Sequence, residues 1–193
     1  MKILKYIIIV IIAIILLFLL LGLIKKTVSY GHEITVDKSV EESWAVVLDE
    51  SKYPLWLEGY KSIELIEGEK GAIGSKYKVI VNPGEGQPDF EMIETVVDYK
   101  ENQFVNLHFD SEMMDFDQIT TVAVKNGKTT IKTDSKVAGK GLMMRSMFAL
   151  MEMLTGSFTA QETKNIEALK VVINENKKNY FQETVSDSLR LIQ

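Results

Sequence analysis

Three regimes of hydrophobic patterning follow one another along the chain. From Ile7 to Ile24 every residue is apolar or glycine, 18 in succession. From residue 27 to 138 apolar and polar residues tend to alternate, the period of half-buried strands. From Leu142 to about Asn176 the spacing lengthens to that of a helix. Within the middle regime, Val28, Tyr30, Ile34 and Val36 predict a first strand. Ser39 with Glu42 three residues on is a capping-box pattern, opening a helix through Trp44 to about Asp49. Pro54 and Trp56, closed by Gly59, predict a second short helix or turn. Six strands then follow, over 61–67, 75–81, 90–99, 104–110, 116–125 and 129–138. Asn126-Gly127 is a two-residue hairpin signal, since both residues tolerate positive φ. Short connections imply antiparallel pairing, and one long helix is left to cover the apolar face of the sheet. The expectation is an α+β fold: a curved seven-stranded antiparallel sheet around a long C-terminal helix, behind one N-terminal transmembrane helix.

The apolar run spans about 27 Å at 1.5 Å per residue, close to a bilayer's hydrocarbon core. Lys2, Lys5, Lys25 and Lys26 bracket it. A cleaved signal peptide is the alternative. The run is longer than a usual signal core, and no small-x-small cleavage site follows it. The expected organisation is therefore an anchor over 3–25, a domain over 27–178 and a tail over 179–193. The protein would sit in the cell membrane as a single-pass chain. The lysines divide evenly between the two ends, so the positive-inside rule assigns no side. In the tail, Phe181, Val185 and Leu189 recur at helical spacing.

Beyond the anchor, 18 basic residues face 27 acidic ones. A domain with a net charge of −9 lacks the basic footprint of a nucleic-acid binder. The chain has no Cys, which excludes disulfides, thiolate zinc sites and a cysteine nucleophile. Two His exclude a histidine-only metal cage, and no cofactor motif is present. Gly71 and Gly74 do not form a phosphate loop, because no Lys-Ser/Thr follows and a strand, not a helix, comes next. Glu112, Asp115 and Asp117 flank a turn but lack the dense oxygen pattern of a calcium loop.

Several segments carry a resemblance: residues 36–49 (VDKSVEESWAVVLD), Tyr53-Pro-Leu-Trp56, Gly71-Ala-Ile-Gly-Ser75 and, late in the long helix, Ala168-Leu-Lys170. Together they resemble the START-like, or SRPBCC, superfamily, which includes polyketide cyclase/dehydrase-like proteins. The resemblance covers roughly residues 28–176 and implies the helix-grip fold. Its members include lipid carriers, hormone receptors, cyclases, dioxygenase subunits and chaperone activators, so fold alone does not set function.

Strand parity sorts the side chains that face a ligand. Charged Lys132, Asp134 and Lys136 turn one face of the last strand outward, leaving Ile131, Thr133, Ser135 and Val137 inside. Tyr77, Val79 and Val81 point in by the same rule, as do Val105, Leu107 and Phe109. Glu94 and Asp98 are expected outside, which turns Ile93, Thr95, Val97 and Tyr99 in. On the long helix, Met143, Met147, Leu150, Met151, Leu154 and Phe158 form one stripe, with Thr155-Gly-Ser157 expected to interrupt it as a kink or as a turn that recaps a second helical piece. Methionines adapt to varied apolar partners, and in the resemblance this helix lines a cavity. The expected cavity wall is thus Trp56, Tyr77, Thr95, Tyr99, Thr133, Met143, Met147 and Met151. This inward set holds no histidine and no carboxylate, and Glu91 is the acid nearest the rim. The expected function is therefore binding of an apolar small molecule or lipid without catalysis. The rival readings are a cyclase- or dehydrase-like enzyme using Tyr77, Tyr99 or Glu91, and a protein-interaction module with a closed core.

Overall fold

A computed structural model describes residues 2–82, 84 and 86–181, so Val185 and Leu189 lie outside the described residues. The apolar run forms α1 (Lys2–Ile24). Among the described residues it is the one helix long and apolar enough to cross a membrane, over Ile3–Ile24. The chain continues with β1 (Val28–Val36), α2 (Val40–Val47), a 3-10 turn (Glu50–Lys52) and α3 (Tyr53–Trp56). The strands β2 (Tyr60–Glu67), β3 (Lys76–Val81), β4 (Phe90–Lys100), β5 (Phe104–Asp110), β6 (Met114–Lys125) and β7 (Lys128–Gly139) follow. Two helices close the fold, α4 (Gly141–Thr155) and α5 (Ser157–Asn174). This is the expected α+β architecture. Its sheet has the order β1-β7-β6-β5-β4-β3-β2, antiparallel throughout.

Local chemistry explains the turns. Ser39 Oγ accepts the Glu42 N–H at 3.1 Å, capping α2. The Glu42 carboxylate does not complete a capping box; it takes hydrogen bonds from Lys38 and Asn176 instead. Asn126 and Gly127 both adopt positive φ (55° and 76°), the two-residue turn that suits strand twist, with Lys125 opposite Lys128.

The long helix is two helices. Gly156 sits in the left-handed region (φ 60°, ψ 33°), ending α4 and beginning α5. This break corrects the reading of the helical stripe. Its α5 half faces the core: Phe158 packs in the interior, and Ile166, Leu169 and Ile173 are buried. Its α4 half faces outward, and Met143, Met147, Met151 and Leu154 are exposed. The residues α4 buries are Ser146, Phe148 and Ala149. A stripe that is continuous in sequence is divided because the left-handed residue redirects the helix axis.

Parity also fails once, in β4. Directly opposed residues of antiparallel strands share a face. Glu94 lies opposite buried Tyr77 and opposite Phe109, so Met92, Glu94 and Val96 point in. Thr95 lies opposite Lys76 and His108 on the outer face. A bulge between Val96 and Asp98 then resets the alternation and returns Tyr99 to the inside, opposite Val105. Ile93, Thr95 and Val97 are therefore not inward, and Glu94 is.

The buried apolar side chains form three clusters. The first joins α2 and α5 to β1, β5, β6 and β7 through Ile34, Trp44, Val122, Ile131 and Leu169. The second joins α4 and α5 to the other end of β1, β6 and β7 through Val28, Val137, Phe148 and Phe158. The third is Tyr77, Val79 and Val96 with Ile63, Met92, Leu107 and Phe109 packed around them. Every member of the third cluster comes from a strand. Of the closing helices, α5 lies over β1 and α4 over β1 and β7, while Trp44 of α2 and Trp56 of α3 share the first cluster with Tyr99, Val105 and Leu107 of β4 and β5.

Candidate functional site

The inner face of β3–β5 is built from cross-strand rows. Tyr77, Glu94 and Phe109 form one row, and Val79 and Met92 begin the next. Met92, Leu107 and Phe109 remain half-buried although they point inward. Aromatic side chains flank this floor. Tyr53 of α3 meets Trp56 and Tyr60 edge-on, with ring centroids 5.8 and 5.6 Å away. Pro54 stands at the helix start, where its missing N–H costs nothing, and so fixes the short helix that presents Tyr53 and Trp56.

Among the described residues, two polar groups here have no hydrogen-bond partner. The Trp56 indole N–H is buried and has no acceptor among the described residues. The Glu94 carboxyl takes part in no hydrogen bond or ion pair among the described residues. Burial, and then the negative charge of Glu50, push its pKa up to about 7 from an ordinary value of 4.5. Burial, and then the charges of Glu94 and Glu50, also raise the Tyr53 phenol. Lys70 pairs with Glu50 at 3.0 Å on the outer side of this group. Chemically, Glu94 can donate a hydrogen bond when protonated, accept one when ionised, or exchange a proton near neutral pH.

A second interior carboxylate, Glu162 of α5, is fully engaged. Gln118 donates to its Oε1 at 3.2 Å and to Ser135 Oγ at 3.1 Å. Burial raises the Glu162 pKa, opposed by the Thr133 hydroxyl, the charge of His32 and the Ser135 hydroxyl. This network fastens α5 to β6 and β7.

The expected site residues thus scatter. Tyr77 and Tyr99 both pack in the third cluster, and Trp56 and Tyr99 both pack against the first. The Tyr77 hydroxyl accepts the Gly71 N–H at 2.6 Å, so its ring, not its oxygen, faces the floor. Tyr99 accepts the Trp44 indole N–H at 3.5 Å. Thr133 is buried beside Glu162, where its hydroxyl accepts the His32 backbone N–H. Thr95 is outside, and Met143, Met147 and Met151 lie on the outer surface of α4. Glu91 is exposed, opposite Ile80. Both histidines have carboxylate partners: His32 meets Glu167 at 2.9 Å and His108 meets Asp117 at 2.7 Å. Glu94, Glu162, Tyr53 and Tyr60 are ionisable residues of the interior that the expected cavity wall does not include. Glu162 was legible, because it precedes Ile166, Leu169 and Ile173 at helical spacing.

No protein-family profile and no curated protein sequence matches the chain. Solved structures do share its fold. Ara h 8.0201 superposes with a TM-score of 0.60 at 15% identity, over 78% of this chain and 99% of its own. The di-domain ARO/CYC protein StfQ, from the steffimycin biosynthetic pathway, gives 0.62 at 8% identity, over 78% of this chain and 52% of its own. Truncated norcoclaurine synthase from Thalictrum flavum gives 0.54 at 16% identity, over 78% and 96%. The chain therefore has the helix-grip architecture of these proteins.

Proposed function

We propose that the protein is a membrane-anchored START-like domain that binds a hydrophobic small molecule or lipid over the inner face of β3–β5. The observation that carries this reading is the third apolar cluster, all of whose members come from strands and which stands beside two polar groups with no hydrogen-bond partner among the described residues. Met92, Leu107, Phe109, Tyr77 and Tyr99 would supply apolar contact. Trp56 and Glu94 would orient a polar end of the ligand. Apolar burial at about 25 cal/mol per Å² outweighs a hydrogen bond worth about 1 kcal/mol, so affinity rests on the floor and specificity on the two polar groups. The α1 helix would hold this surface beside a store of apolar molecules. The structural neighbours support the reading at the level of fold.

The test is native mass spectrometry with lipid extraction on the full chain, purified in detergent from a bacterial host. A stoichiometric apolar molecule is expected, and its occupancy falls in Met92→Trp and Leu107→Trp, which fill the floor. A protein that emerges empty and takes up no apolar fluorescent probe overturns the reading.

One observation favours a second reading, a cyclase- or dehydrase-like reaction. Glu94 is a carboxyl poised near neutrality among phenols, as proton transfer requires. Under this reading Glu94→Gln keeps ligand occupancy and abolishes conversion of the bound molecule. Unchanged conversion in that variant removes Glu94 from the chemistry.

A further inference from the structure

The outward stripe of α4 is exposed and has no apolar cluster around it among the described residues. Met143, Met147, Met151 and Leu154 are 69%, 38%, 41% and 70% exposed. At 3.6 residues per turn they fall within roughly a quarter of the helix circumference. The same helix packs on α1. Gly22 is buried there, and a Cβ added to it would stand 2.3 Å from Ser146 Oγ and 2.7 Å from the Leu142 carbonyl oxygen. Phe18, Leu19 and Leu21 are half-buried at this end of α1, whereas Ile3 to Leu17 stand exposed. The contact therefore takes up the last two turns of the apolar helix, about 10 Å of its length.

Three further facts fix what the stripe faces. Only residues 25–27 separate α1 from β1, and three residues reach at most about 11 Å. Charge is absent from the stripe: α4 carries only Arg145 and Glu152. Arg145 Nε donates to the Gly139 carbonyl at 3.2 Å. Glu152 accepts the Phe158 N–H at 2.9 Å and the Thr159 hydroxyl at 2.5 Å, so it turns toward α5. A neutral, methionine-rich face on a domain of net charge −9 presents no charge for anionic headgroups to repel.

We infer that the Met143–Met147–Met151–Leu154 face of α4 lies in the interfacial layer of the bilayer that α1 enters, so that the domain is docked on the membrane and not merely leashed to it. This rests on the membrane-anchor reading above. The 10 Å of α1 that α4 covers matches the roughly 5–10 Å to which an amphipathic helix sinks below the headgroups.

Because the chain has no Cys, single cysteines give clean reporters. The full chain is reconstituted into phosphatidylcholine vesicles containing phosphatidylglycerol, with a fluorophore at Ile12→Cys, Met147→Cys, Met151→Cys or Lys132→Cys. Lipids with a nitroxide near the headgroup or near the chain end act as quenchers. The labels at 147 and 151 are expected to lose roughly half their emission to the shallow nitroxide, while the label at 132, on the outer sheet face, is unaffected. A label at 12 quenched by the deep nitroxide, with 147 and 151 unquenched, overturns the docking and leaves the anchor standing. An unquenched label at 12 overturns the anchor itself, and the inference with it.

Discussion

Glu94 is the residue on which the site turns, and its ionisation is measurable as stability. Its folded-state pKa of about 7 lies above the ordinary 4.5. Its contribution is therefore fully present below pH 4.5 and is lost as the pH rises through 7. Between those limits the cost of ionising it in the fold reaches on the order of 2–3 kcal/mol. Glu94→Gln removes that cost. The melting temperature of the variant should gain on that of the parent by roughly 5–10 °C between pH 4.5 and pH 8, measured by thermal denaturation across pH. A gap that does not change with pH would show Glu94 ionised without penalty. Trp56 gives a complementary test. Since its indole N–H has no acceptor among the described residues, Trp56→Phe should leave the empty protein at least as stable, yet weaken binding of the co-purified molecule about three- to tenfold, read by calorimetry. The sequence misleads at this scale for a definite reason. Glu94 and Asp98 have the same parity and both carry charge, so they read as one solvent face. The bulge between Val96 and Asp98 puts them on opposite faces, and only the pairing partners Tyr77 and Phe109 reveal it.

Among the elements, glycines decide the geometry of α1, α4 and α5. A Cβ on Gly156 would meet nothing within 4 Å, so Gly156→Ala has only the left-handed backbone to contend with. It should lower stability by about 1–2 kcal/mol, measured by chemical denaturation. Gly22 is the opposite case, with space as the constraint. Gly22→Val should separate α1 from α4 and raise amide exchange across residues 142–149, leaving exchange in β6 and β7 unchanged. Element identities were legible because their signals are local: the Ser39 cap, the Asn126-Gly127 turn and the alternation of β7 all appear where the residues predict them. The direction of the α4 stripe was not. Helical spacing runs unbroken through Gly156, and spacing records which residues share a face, not what that face meets.

For the whole molecule, the two ends of the sheet differ in how they are closed. Helices cover β1 and β7, and the polar network of Glu162, Gln118, Thr133 and Ser135 locks α5 there. The β2–β5 side keeps an apolar floor that a ligand would complete. If a ligand is held at 100 times its dissociation constant, it adds about 2.7 kcal/mol to stability. Delipidation should then lower the melting temperature by roughly 5–10 °C, and returning the extracted molecule should restore it.

The pairing of the first strand with the last has a consequence in time. β1 follows the apolar helix almost directly, yet its partner begins at Lys128, with Val36 opposite Thr129 and Val28 opposite Val137. A ribosome making about 5–20 residues per second needs roughly 5–20 s to deliver those 100 residues. Throughout that interval β1 is an unpaired strand directly behind the apolar helix α1. Its glycine and alternating polar residues, Ser29, Gly31, Glu33 and Thr35, suit a strand that must wait in water without pairing wrongly.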